Sequence, residues 1–172
     1  MQGRATISDC GKYRYWLSRT WGDRNRRVIY VMLNPSTADA LQDDPTIRRC
    51  ITFAQKLGCG ALGVVNLYAF RTPDPKELTK ALKEGTDVLG PRNAGFVRSA
   101  VKPESGIDKI VVCAWGSSRI SYGDLPRRSP VIGLIPPTAK CFGFNKDGNP
   151  KHPLYLPNNS ELQDYSDQRS IA

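Results

Sequence analysis

Short apolar runs separated by polar stretches rich in glycine and proline recur along the chain, none much longer than about six residues. Residues 28–33, Val-Ile-Tyr-Val-Met-Leu, form a continuous apolar run rich in β-branched side chains, as expected of a strand buried on both faces. The runs at 61–67 and 110–114 have the same character, 139–142 predicts a last strand, and 13–17 predicts a first strand at an edge. Between them the period becomes helical. Asp44-Pro45 has the form of an N-cap followed by proline in the first turn. Ile47, Cys50, Ile51, Ala54 and Leu57 follow at helical spacing, and Gly58 supplies the stop. Asp74-Pro75 opens a second helix to about residue 84, Gly90-Pro91 a third to about 101, and a short helix is expected around 127–134. Strands alternating with helices predict the α/β class, a three-layer α/β/α domain on a mainly parallel sheet.

With 172 residues and 40% apolar positions, the chain can bury one core, read as a single domain over 1–157 followed by a polar tail over 158–172. No run approaches the roughly twenty apolar residues of a membrane span. The charged N-terminus has no signal-peptide core, so a cytoplasmic protein is expected. The five cysteines, at 10, 50, 59, 113 and 141, contain no Cys-x-x-Cys pair and are odd in number, which argues for reduced, mostly buried thiols rather than a zinc site or disulfide framework. No metal site and no cofactor are assigned. The net charge of +9 is concentrated early: residues 1–27 hold seven basic side chains against two acidic ones, a composition suited to a polyanionic partner such as DNA, another nucleic acid or a nucleotide.

In open parallel sheets ligands bind beyond the carboxyl ends of the strands, so the residues just after each apolar run carry the candidate chemistry. After the second strand comes Asn34-Pro35-Ser36-Thr37-Ala38-Asp39. Asn66 ends the third, Trp115-Gly116-Ser117-Ser118 follows the fourth, and His152-Pro153 lies beyond the last. Each has a structural alternative: Asn34-Pro35 as a turn, Asn66 as a buried amide bonded to backbone, Trp115-Gly116 as core plus turn, and His152, the sole histidine, as a surface residue.

Taken together these segments carry two resemblances. With its Tyr-x-Tyr-Trp-Leu, Met-Leu-Asn-Pro-Ser-Thr-Ala-Asp, Val-Val-Asn-Leu-Tyr-Ala-Phe-Arg and Lys-His-Pro-Leu-Tyr-Leu segments, the chain resembles the bacterial and phage family of domain of unknown function 1643. More distantly, four short segments resemble the uracil-DNA glycosylase superfamily. Val31 to Ser36 resembles its first motif, a strand ending Gly-aliphatic-Asn-Pro-Gly, and Leu62 to Asn66 its base-reading strand. Val111 to Gly116 resembles the strand ending Leu-Trp-Gly, and Lys151 to Leu154 its His-Pro-Ser loop. Met32 stands in place of the glycine and Leu154 in place of the serine, and the stretch after the first motif carries Asp39, Asp43 and Asp44 where the superfamily has a stacking aromatic.

What the second resemblance implies is a fold of the uracil-DNA-glycosylase type and a base N-glycosylase acting on a modified or damaged base. Asn34 would orient water, His152 would donate to the departing base and Asn66 would read its polar edge. The turns around Pro35, Ser36 and Ser117, with Trp115 and Gly116, would hold the substrate, Tyr68 or Phe70 would stand in for the stacking aromatic, and Leu154 and Tyr155 would wedge beside the extruded base. Two alternatives stay open: a non-hydrolytic nucleic-acid or nucleotide binding module of the same fold, and an enzyme acting on a free nucleotide or nucleoside.

Overall fold

The computed structural model describes residues 1–117 and 125–166. Seven strands form one sheet in the order β1-β2-β4-β3-β5-β6-β7. They are β1 Gln2–Ile7, β2 Arg14–Thr20, β3 Arg26–Met32, β4 Ala61–Asn66, β5 Asp108–Cys113, β6 Lys140–Cys141 and β7 Gln163–Asp164. Between them lie α1 Pro45–Lys56, α2 Pro75–Lys83, α3 Asn93–Val101 and the short α4 Leu125–Arg128, followed by a 3-10 turn over Pro130–Leu134.

The centre of the sheet, β4-β3-β5-β6, is parallel, and both margins are antiparallel. The fold is therefore mixed α/β rather than mainly parallel. Two strands make the difference. The pattern places an edge strand at 13–17, but β2 lies inside the sheet because Gln2–Ile7, whose glycine, arginine and alanine give little apolar alternation, pairs outside it. At the other margin Gln163–Asp164, within the segment read as a polar tail, pairs with β6 through backbone groups that side-chain polarity does not report.

Alternation along β3 divides the core. Val28, Tyr30 and Met32 face α1 with Ile47, Cys50 and Phe53, while Ile29 and Val31 face Leu78 of α2 and Val97 of α3 on the other side. Helix α1 starts as its sequence predicts: Asp44 accepts the Ile47 N–H at 2.8 Å, Pro45 occupies the first turn, and Gly58 takes φ +70° just past the end. Cysteines 50, 59, 113 and 141 are buried and Cys10 is exposed. The chain leaves β3 toward the α1 face, whereas β4 leads to α2 on the opposite face. That divergence opens a crevice at the carboxyl end of β3, where open α/β sheets bind their ligands. No helix among the described residues is long and apolar enough to cross a membrane.

Candidate functional site

A cavity of about 660 Å³ occupies that crevice. Segments distant in sequence converge on it: Asn34 and Ser36 after β3, Asp44 and Thr46 at the start of α1, Thr72 and Pro73 after β4, Trp115, Gly116 and Ser117 after β5, and 151–152 with 154–157 beyond β6. The volume lies in the range of small-molecule sites.

Asn34 is held by its amide nitrogen, which donates to the carbonyls of Thr72 at 2.9 Å and Pro35 at 3.1 Å. The orientation is thereby fixed, and Oδ1 remains an acceptor on the cavity side chain. His152 presents the complementary group. Its Nδ1 accepts the Leu154 N–H at 3.3 Å, so the neutral ring carries its proton on Nε2 as a donor. Burial lowers its pKa from 6.5 to about 4, against a smaller opposing effect of Asp44, and the ring is neutral at pH 7. The structure explains the Trp-Gly pair beside it. Gly116 has φ +81°, and a Cβ there would lie 3.0 Å from the Cβ of His152, so only glycine lets this loop pack against the histidine. Trp115 Nε1 donates to Asn149 Oδ1 at 3.1 Å, and Ser117 Oγ bonds Asp147 at 2.6 Å.

The segment after His152 is tied to α1. The Arg49 guanidinium donates to the Leu156 carbonyl and to Asn158 Oδ1, and Lys56 reaches the Asn158 carbonyl at 2.5 Å. Tyr155, 81% exposed, stands at the rim with its ring centroid 5.8 Å from that of His152.

Of the eleven predicted site residues, Asn34, Ser36, Trp115, Gly116, Ser117, His152 and Leu154 line this cavity, and Pro35, Asn66, Tyr68 and Phe70 do not. Pro35 is buried beneath it and accepts the Thr72 N–H through its carbonyl. Tyr68 and Phe70 belong to the core on the α2–α3 side: the Tyr68 hydroxyl donates to the Leu125 carbonyl at 2.8 Å, and Phe70 meets the ring of Tyr13 edge-on. Their side chains point into this core although Thr72 and Pro73 just beyond them line the crevice, so neither aromatic stands where a stacking residue would. Asn66 pairs in register with Met32 and is 1% exposed, with both side-chain amide atoms lacking a partner, while the cavity wall at this level is built by Met32 and Leu33. Ser118 lies outside the described residues.

The sequence counts Arg14 only as part of an N-terminal basic cluster, yet it is a wall of the cavity and 2% exposed. A bulge puts it there. Thr6 pairs with Trp16 and Ile7 with Arg14, so Tyr15 is the extra residue; it stacks on Phe96 of α3 at 5.3 Å while Arg14 lines the crevice. The cluster does not form one surface patch. Arg19, 3% exposed, pairs with Asp43 at 2.7 Å, and Arg26 and Arg27 open β3 at the end of the sheet opposite the cavity. The acidic loop is likewise occupied: Asp43 by Arg19, Asp39 by the Leu41 and Gln42 amides, and Asp44 by its capping bond. No group of three or more His, Cys, Asp or Glu side chains suited to a metal ion comes together among the described residues.

Fold and site thus define an α/β protein with a cavity, lined by polar and apolar side chains, at the carboxyl ends of its central parallel strands. Residues 14–154 match the family described as "Protein of unknown function (DUF1643)", and the chain belongs to that family. No curated protein and no solved structure matches it.

Proposed function

We propose that this chain hydrolyses the N-glycosidic bond of a nucleobase, with a fold of the uracil-DNA-glycosylase type, as the motif resemblance implies. The observation that carries the proposal is the pairing, in one cavity, of a fixed amide acceptor on Asn34 with a neutral imidazole donor on His152. Such a hydrolysis develops positive charge on the sugar and negative charge on the leaving base, and it requires a positioned water. Water held by Asn34 Oδ1 forms the new C1′–O bond as the C1′–N bond breaks. The electron pair leaves with the base, whose oxygen accepts a hydrogen bond from His152 Nε2–H. Asp44, the one carboxylate among the described lining residues, is the acceptor at hand for the water's proton. A neutral imidazole suits the donor's part because it stabilises an oxyanion without itself having to be charged. Asn66, whose carboxamide has no partner among the described residues, does not line the cavity, so no contact with the base is assigned to it. Tyr155 and Leu154, at the rim, are placed to stack or wedge beside an extruded base.

The dispersal of the N-terminal arginines favours a second substrate class. With Arg26 and Arg27 at the opposite end of the sheet, the cavity fits a free nucleotide or nucleoside as well as a nucleotide flipped from a strand. The test is base release from a panel of single- and double-stranded oligonucleotides bearing uracil and modified bases, and from the corresponding nucleotides. Chromatography detects the free base and alkali cleaves abasic sites. Turnover is expected with at least one member, and Asn34→Ala and His152→Ala should each lower kcat by about a hundredfold or more with binding nearly unchanged. No release from any member, or equal loss of binding and turnover in both variants, overturns the proposal; salt-sensitive binding without release would assign the chain to the binding modules.

A further inference from the structure

Arg14 is a buried charge that lacks an ion-pair partner among the described residues. Nη1 donates to the Ala38 carbonyl at 2.6 Å, and Nε is buried without a partner. Burial holds its pKa down at about 10, with Asp44 opposing and Arg71 adding to the fall, so it stays charged at neutral pH. A buried guanidinium without a counter-charge is costly, and a merely structural tie to one carbonyl is within the reach of a neutral donor. The side chain faces a cavity whose other described charges are Lys151 and Asp44. Ser36 and Thr46 line the same cavity, and the backbone N–H of Thr46, in the first turn of α1, has no intrahelical acceptor.

We infer that Arg14, with Ser36 and Thr46 at the start of α1, forms an oxyanion subsite that takes a phosphate group of the substrate. Hydroxyl and amide donors that share a cavity with one guanidinium match the several oxygens of a phosphate better than the two of a carboxylate. The subsite deepens the proposed function and rests on its cavity, but it is defined by binding rather than turnover. The phosphate can come from a free nucleotide or from a nucleic-acid strand.

The experiment compares affinities of the full chain for inorganic phosphate, a nucleoside, its 5′-monophosphate and a short single-stranded oligonucleotide, by calorimetry at matched ionic strength. In the wild type, phosphate should bind saturably and the monophosphate about tenfold or more tighter than the nucleoside. Arg14→Gln, which keeps a donor for Ala38, should abolish that difference while its melting temperature without phosphate stays at or above that of the wild type. Should Arg14→Gln fail to fold, Arg14→Lys is expected to retain part of the preference. An Arg14-dependent preference for the oligonucleotide alone would also support the subsite and assign the phosphate to a strand. A wild type indifferent to phosphate, or variants that keep the full preference, would overturn it. Base release without any phosphate effect removes the subsite and leaves the hydrolase standing; an Arg14-dependent phosphate effect without base release does the reverse.

Discussion

His152 joins two properties that a lone histidine in a loop seldom combines: a fixed tautomer and a depressed pKa. Both follow from its seat between Gly116 and the Leu154 amide, and both bear on stability. The unfolded chain binds a proton at this ring near pH 6.5, whereas the folded chain resists until about pH 4. Between those values the unfolded state holds more protons, so stability contributed by the neutral ring is complete above about pH 6.5 and declines as pH falls toward 4. The loss is on the order of 3 kcal/mol. Subtracting the pH–stability curve of His152→Gln from that of the wild type should isolate this fall, and a flat difference across the interval would show that the ring is not buried neutral. His152 could be picked from the sequence as the only histidine, and it stands beside a proline, but its neutrality could not, because burial by residues distant in sequence, Gly116 among them, creates it.

Helix α1 has two duties at the element scale. Its first turn brings Asp44 and Thr46 to the cavity, and its outer side holds the strap that follows His152 through Arg49 and Lys56. The Arg49 guanidinium also lies over the Phe53 ring at 4.7 Å. Arg49→Met keeps an apolar stem of similar reach and removes the donors. The expected outcome is a melting temperature lower by a few degrees, matching a loss of about 1–2 kcal/mol. Hydrogen exchange should quicken over 153–160 and stay slow in β3 and β5. Uniform change across the chain, or none in the strap, would show that Arg49 does not anchor it. The helix itself was legible, since cap, proline, apolar spacing and terminal glycine are local signals. Its partnership with residues a hundred positions away was not, because Arg49 and Asn158 look in sequence like any exposed polar pair.

Across the whole molecule, the net charge of +9 and its distribution point to different partners. Charge alone suggests a polyanion-binding face, yet Arg14 and Arg19 turn inward and Arg26 and Arg27 sit at the far end of the sheet. With Arg14 and Lys151 as the described cations lining the cavity, binding of a short oligonucleotide should weaken with a log–log salt slope of about −1 to −2. A slope of about −5 or steeper, measured by fluorescence anisotropy, would reveal an extended phosphate track and return the basic cluster to a binding role. The amino-acid sequence by itself determined the α/β class, the buried parallel centre, the bounds of α1 and most of the cavity-lining residues after β3, β5 and β6. Each depends on periodicity or turn chemistry within a few residues. Tertiary structure alone decided the antiparallel margins, the retreat of Tyr68 and Phe70 into the core, and the entry of Arg14 into the cavity. One extra residue in a strand exchanges the faces of all that precede it, and pairing through the backbone leaves no mark on the side chains that a sequence records.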